Sequence, residues 1–269
     1  MPGQPGAPRP IVRYRSSMVA TQEAPKPVDI SRVVEKLGRS AAEARRSPVP
    51  ASVAVPRTRI ALAVILSGIA GFAGIMVLVR RKRLEALDIA LTMRLQAIRH
   101  PSLEHVMAAV SWFGFPPQSR VLPPIAVVAL WMTRFRLEAS LQLVAWGSAL
   151  LSTAIKWFMR RPRPVAGTDL RVVTAELGGS SFPSGHVLTY VGVYGWLAVV
   201  ANVLIRPPVL RRVLVVALTA LVAAVGPSRI YLGHHWPTDV AASYLLGSSY
   251  LAALVLAYRR LKSRPAPPR

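Results

Sequence analysis

The chain has 269 residues, 52% of them hydrophobic and only 17% charged, and its mean hydropathy is +0.39. Charged residues make up about 25% of an ordinary soluble domain, so a globule of this composition would lack the polar residues to cover itself, and the composition points to an integral membrane protein. The formal net charge of +23 would suit nucleic acid if the bases shared one face. Instead they bracket apolar runs, as at Arg57 and Arg59 before Ile60 and Arg80–Arg83 after Val79. That placement suits a bilayer and anionic lipid headgroups, and no nucleic-acid partner is expected. The absence of cysteine excludes disulfides, thiol catalysis and thiolate metal sites.

Residues 1–56 are rich in proline and bases and are expected to form a disordered cytoplasmic tail. Within it, Ile30, Val33, Val34 and Leu37 follow a helical spacing that would suit a short amphipathic segment. A membrane-embedded domain is expected over 57–260, followed by a basic C-terminal tail at 261–269. Ile60–Val79 has 20 residues without a charge, long enough to cross roughly 30 Å of hydrocarbon. Leu84, Leu87, Leu91, Leu95 and Ile98 then mark one face of an amphipathic helix lying in the interface or against the bundle, which Pro101 is expected to end. Further spans are expected at Val121–Thr133, which carries Pro123-Pro124, and at Ala139–Phe158, Val187–Ile205, Val213–Val225 and Asp239–Tyr258. The expected fold is all-α: a polytopic membrane helical bundle of about six transmembrane helices with an interfacial amphipathic helix. Gly68, Gly71, Gly74, Ser243 and Gly247 offer small faces for close helix approach.

Three clusters of polar residues sit at span ends, where charge is costly and usually functional. The first is Lys156 through Pro164, in which Pro162 and Pro164 stiffen the backbone around Arg163. A lysine point charge and an arginine fork converging on one place suit a phosphate. Arg160 and Arg161 suit headgroup contact instead. The second runs from Ser180 to His186. Ser184 is placed to cap the following helix and Gly185 to admit a ligand close to the backbone. The helix N-terminus there offers an anion site, with His186 at its rim. The third runs from Ser228 to Asp239. Pro237 fits the first position of the last span, and Asp239 can reach back as in a capping box and hold His235 by one ring nitrogen. Arg229 adds a third cation, while His234 is expected to point elsewhere. The clusters together describe phosphoryl transfer through a histidine. No carboxylate set for magnesium accompanies them, so no metal and no cofactor is expected.

The three blocks Lys156…Arg163-Pro164, Pro183-Ser184-Gly185-His186 and Ser228-Arg229…His235…Asp239 resemble the signature of the type 2 phosphatidic acid phosphatase (lipid phosphate phosphatase) superfamily. Order and internal spacing agree, and the resemblance covers roughly residues 84–258. It implies that Lys156, Arg163 and Arg229 bind phosphate oxygens, assisted by Ser184 and the Gly185 amide. His235 would attack phosphorus to give a phosphohistidine, with Asp239 orienting it, and His186 would protonate the leaving oxygen and then activate water. Which histidine attacks is decided by the resemblance and not by the residues.

The expected activity is therefore metal-independent hydrolysis of a lipid phosphomonoester or diphosphate. A lipid phosphotransferase on the same site and a non-catalytic lipid-binding protein are the alternatives. The resemblance also implies a helical bundle with its site on the non-cytoplasmic side and both termini in the cytoplasm. The flanking bases divide almost evenly between the two sides, and Arg80–Arg83 weighs against that orientation. A bacterial cell membrane is the expected location. The lipid itself and the oligomeric state are not legible.

Overall fold

In the computed structural model the described residues are 51–164, 170–172 and 177–263, with side chains from residue 58. The tail stretch at residues 30–37 and residues 264–269 lie outside them. The described residues form helices and no strand: α1 (Ala51–Arg80), α2 (Glu85–Gln96), α3 (Pro101–Trp112), α4 (Gln118–Met132), α5 (Arg136–Trp146), α6 (Ser148–Met159), α7 (Gly185–Leu204), α8 (Pro208–Tyr231) and α9 (Pro237–Lys262).

Among the described residues four helices, against about six expected spans, are long and apolar enough to cross a membrane: residues Thr58–Arg80 of α1, and α7, α8 and α9. The expected span at 139–158 is divided at Gly147 into α5 and α6, whose backbone continues in right-handed helical geometry across the break. The expected span with the paired prolines is α4, whose 15 residues reach about 22 Å at 1.5 Å per residue. Its first turn begins before Pro123-Pro124, so the prolines fall inside the helix.

α1 lies along α9, and small residues set the distance. A Cβ on Gly68 would strike the Ser249 hydroxyl, one on Gly71 would come within 3.0 Å of Leu245, and Gly74 faces open space. Ser249 Oγ also donates to the Ile65 carbonyl at 3.2 Å. In lipid, where apolar contact alone gives little preference for protein over bilayer, such close approach is what holds helices together. α7 is the central helix, and it carries a π-helical turn at Tyr190–Tyr194. Trp196, Tyr190 and Val187 on it are fully buried. Around it Leu141, Ala145 and Leu254 close one half of the core, and Val225 and Val240 the other.

Two elements add to the sequence-based expectation. Pro101 does not only follow the amphipathic helix; it opens α3, with His100 at the N-cap accepting from the Ser102 amide through Nδ1 at 3.2 Å. α2 turns its polar side to the bundle. Asp88, Thr92 and Gln96 are its buried face, while Leu87 and Leu91 are exposed and Leu95 is half-buried. The reason is the solvent: where lipid surrounds a helix its apolar stripe faces outward, and its polar residues seek partners inside. Gln96 finds them in the Arg171 and Tyr231 carbonyls at 2.8 and 3.1 Å.

Candidate active site

All three motif clusters meet at one end of the bundle, joined first through backbone. Ser181 N donates to the Arg161 carbonyl at 2.8 Å and Arg161 N to the Ser180 hydroxyl at 3.0 Å, so the first cluster is laid against the second. The third is attached from α9: Ser243 Oγ donates to the Asp239 carbonyl at 2.6 Å and accepts the Ser184 amide at 2.7 Å. After α8 the chain reverses at Gly233, where φ is +76°. A side chain there would be strained and would also meet the Arg171 carbonyl. Through this turn the His234 and His235 amides both reach the Arg229 carbonyl, at 3.0 and 3.2 Å. The backbone thus carries His235 back over the end of the helix that presents Arg229.

Lys156 leaves the last turn of α6 and donates to the Ser180 carbonyl at 2.9 Å. Arg163 spreads its fork over carbonyls, with Nη1 on His234 at 2.7 Å, Nη2 on Ser180 at 3.2 Å and Nε on Gly178 at 3.2 Å. Its Nη1 is also 3.3 Å from His235 Nε2. Arg229 is fully buried. Its Nη1 donates to Ser111 Oγ at 3.2 Å, its guanidinium lies 4.9 Å from the centre of the Phe115 ring, and its Nε and Nη2 have no protein hydrogen-bond partner. The same is true of the buried Oγ atoms of Ser152 and Ser184 and of His186 Nε2. Buried donors are almost always paired, so this concentration at one helix N-terminus marks a place built for a polar ligand. Gly185 opens it: a Cβ there would come 3.2 Å from Ser152 Oγ and 3.8 Å from the Lys156 side chain.

Ser184 occupies the N-cap position of α7, yet its hydroxyl caps nothing, which corrects the expected role. The orientation of His235 is a second correction. Its Nδ1 is 2.8 Å from the Ser181 carbonyl and 3.7 Å from Asp239 Oδ2. A carbonyl can only accept, so Nδ1 carries the proton and Nε2 keeps its lone pair. Asp239 cannot come closer because its oxygens are engaged. Oδ2 accepts the Trp236 amide at 3.0 Å, completing the expected capping box, and Oδ1 accepts from Arg161. Arg161 is the third correction: it points inward, bridging Asp239 and Asp88 rather than meeting headgroups.

Burial pushes the pKa of the His235 imidazole well below its ordinary value, and the charges of Arg229, Lys156 and Arg163 push in the same direction. A neutral imidazole whose unprotonated Nε2 faces the Arg163 guanidinium can act as a nucleophile toward an anion that draws that cation to itself. His186 stands at the first turn of α7. Phe115 meets it edge-on at 4.7 Å between ring centres, and Gly114 comes so close that a Cβ there would strike the ring. His234 is buried with its ring 6.0 Å from Phe115, and its carbonyl serves Arg163.

Sequence reasoning did not single out Ser111, Gly114, Phe115, Ser181 or Asp88. The first three stand at the end of α3, a helix the sequence did not suggest, where Ser111 Oγ also pairs with Ser228 Oγ at 2.6 Å. Ser181 acts through its main chain, which no side-chain motif records. Asp88 carried one signal: a carboxylate at helical spacing from Thr92 and Gln96, which together make a polar stripe on the helix.

Residues 138–263 match the PAP2 superfamily. The chain is 31% identical over 170 residues to phosphatidylglycerophosphatase B of Bacillus subtilis (strain 168), covering 61% of this chain and 79% of that protein. The fold is similar to the crystal structure of a transmembrane PAP2-type phosphatidylglycerolphosphate phosphatase from Bacillus subtilis, with a TM-score of 0.62 and 24% identity, over 71% of this chain and 94% of that one. A second solved structure, Aquifex aeolicus LpxE, aligns with a TM-score of 0.48 at 24% identity over 63% of this chain and 94% of the other. With the identity to the Bacillus protein extending over most of its length, and the bundle shared with a solved member, the chain belongs to the PAP2 superfamily.

Proposed function

We propose that the protein is a membrane lipid phosphatase that hydrolyses a lipid phosphomonoester or diphosphate through a phosphohistidine. One observation carries this reading: the unprotonated His235 Nε2 faces the Arg163 guanidinium, from which it accepts at 3.3 Å, at the mouth of a group of unpartnered buried polar atoms from Ser184, His186 and Arg229, so an anion that draws Arg163 to itself meets that lone pair. Lys156, Arg163, Arg229, Ser184 and the Gly185 amide would hold the three non-bridging oxygens. Their preorganised positive field stabilises the transition state, where charge spreads over those oxygens. His235 Nε2 forms the bond to phosphorus as the bond to the lipid oxygen breaks. His186 gives that oxygen a proton, then takes one from the water that releases phosphate and restores His235. Asp239, beside Nδ1, offsets the charge the imidazole gains.

Phosphatidylglycerol phosphate heads the candidate substrates because the Bacillus relative is named for it. Phosphatidate, lysophosphatidate and a polyprenyl diphosphate complete the panel. Phosphate release by the purified protein in detergent, with and without EDTA, tests the reading. Turnover that survives EDTA, with a rank order among the lipids, supports metal-independent hydrolysis. Loss in EDTA, or no release from any lipid by folded protein, overturns it.

The proposed orientation places the site on the non-cytoplasmic face of a bacterial cell membrane. At the other end of the bundle Arg206, Arg211, Arg259 and Lys262 line a cleft between α7, α8 and α9, the arrangement cytoplasmic helix ends favour. The cysteine-free chain makes this simple to check with single cysteines in intact cells. A membrane-impermeant maleimide should label Lys82→Cys and spare Arg206→Cys; the reverse pattern inverts the topology.

A further inference from the structure

Beside the site, behind Asp239, lie two buried charged residues, Asp88 and Arg161, that no step of the proposed reaction uses. Asp88 on α2 is 1% exposed. Its Oδ2 accepts from Arg161 Nη2 at 2.6 Å and from the Thr238 hydroxyl at 2.7 Å, and its Oδ1 accepts the Thr238 amide at 2.9 Å. Arg161 Nη1 donates in turn to the Thr238 hydroxyl at 2.9 Å and to Asp239 Oδ1. One guanidinium therefore stands between two carboxylates, one from α2 and one from α9. The first turn of α9 is tied by a residue about 150 positions away in the chain.

We propose that Asp88 and Arg161 are positioning residues of the phosphoryl-transfer site: Arg161 pins the Asp239 carboxylate, and Asp88 pins both Arg161 and the first turn of α9. This inference rests on the reading of His235 as the nucleophile. Asp239 lies 3.7 Å from His235 Nδ1, close enough to offset the imidazolium but not to bond it. Where that carboxylate stands depends on what holds it from behind. Without Arg161 its Oδ1 loses its partner, and two buried carboxylates face each other across the gap. Without Asp88, Arg161 loses one of its two anions and the Thr238 amide its acceptor. A lysine cannot substitute, because the contacts to Asp88, Thr238 and Asp239 use both ends of a planar fork. Removing one member of a buried charge set strands its partners, so loss of Arg161 alone should do more harm than loss of Arg161 and Asp88 together.

The test compares phosphate release by full-length protein in detergent for wild type, Arg161→Gln, Arg161→Lys, Asp88→Asn, the Asp88→Asn/Arg161→Gln double variant and Arg160→Gln. Arg160 is exposed and lies over Trp157, so its variant controls for loss of one positive charge. Arg161→Gln is expected to lower kcat about 10- to 100-fold, the size seen when the partner behind a functional ligand is removed. KM should stay within about threefold, since the phosphate-binding cations are untouched. Lysine should recover little, the double variant should exceed Arg161→Gln alone, and Arg160→Gln should match wild type within about twofold. A raised KM at unchanged kcat, additive losses, or a loss no larger than the unfolded fraction in a thermal melt would overturn the inference. Asp88→Asn, which preserves volume, serves if Arg161→Gln does not fold.

Orthovanadate gives a readout independent of turnover, because it takes the phosphorane geometry on a correctly placed histidine. It should raise the melting temperature of wild type and Arg160→Gln clearly more than that of Arg161→Gln or Asp88→Asn. If wild type releases phosphate from no lipid, the proposed function fails while this comparison still decides the inference: equal shifts in wild type and Arg161→Gln defeat it. No shift even in wild type removes the anion site, and the inference with it.

Discussion

α7 and α8 are both apolar and long enough to span the membrane, yet 67% of the apolar window of α7 is buried inside the protein against 11% of that of α8. α7 is enclosed by the other helices until its last turn, where Asn202 and Val203 are exposed, whereas α8 gives the core little more than its last turns, at Val225, Gly226, Ser228, Arg229 and Tyr231. Along the rest of its length Val209, Val213 and Val216 face outward. Apolarity makes a segment a span without saying where in the bundle it lies. What separates the two is close packing and polar anchorage: Gly192 of α7 rests against the Ala145 carbonyl and Ser148, and Tyr190 Oη donates to the Val110 carbonyl at 2.7 Å. Both helices nevertheless deliver a site residue, from the first turn of one and the last turn of the other.

The comparison predicts that variants should matter by distance from the site end and not by hydrophobicity. The largest effect belongs to His235 itself: His235→Ala should lower kcat roughly a thousandfold or more while leaving the protein folded, read by phosphate release and a thermal melt. Next is the buried end of α8, where Arg229→Gln should cost on the order of a hundredfold in kcat/KM, as loss of a transition-state cation does. A smaller loss of kcat, about 10- to 100-fold, is expected for Gly114→Ala, because the new methyl group must displace the His186 ring. Val216→Ala, on the outer face of the same helix as Arg229, should stay within about twofold. Equal losses at Val216 and Arg229 would break the distinction between the two faces of α8.

The acid limb of kcat/KM sharpens the same picture. Burial and three cations lower the pKa of His235, so it keeps its lone pair on the acid side of about pH 6.5, the ordinary histidine value. Its protonation should therefore limit the rate only below that pH. Removing a cation with Arg163→Gln relieves part of the penalty on the protonated form and should move the limb upward. The titration of the substrate phosphate is common to both proteins and cancels in the comparison. An unchanged limb would mean that His235 is not the group being titrated.

The four long spans and the three blocks of candidate site residues were legible because both are local. Twenty uncharged residues in a row, or Lys156 seven positions before Arg163, need no tertiary information. What was not legible is what other elements supply. The leucines of α2 announced an amphipathic helix, but not which face meets the bundle, and so the burial of Asp88 was not legible. Ser181 holds His235 through a carbonyl that every residue possesses. Phe115 and Ser111 carry no signal until α3 brings them against Arg229. Arg161 differs from its neighbour Arg160 only in direction, and the left-handed turn at Arg160, with φ of 46°, is what sends the two side chains apart.

The most direct test of the account is rapid-quench trapping of the phosphoryl group from a lipid substrate labelled at its terminal phosphate. The account predicts an acid-labile, base-stable label on His235 that forms before phosphate is released and is absent from His235→Ala. Label on a different residue, or phosphate released with no protein-bound label at any time, would contradict it.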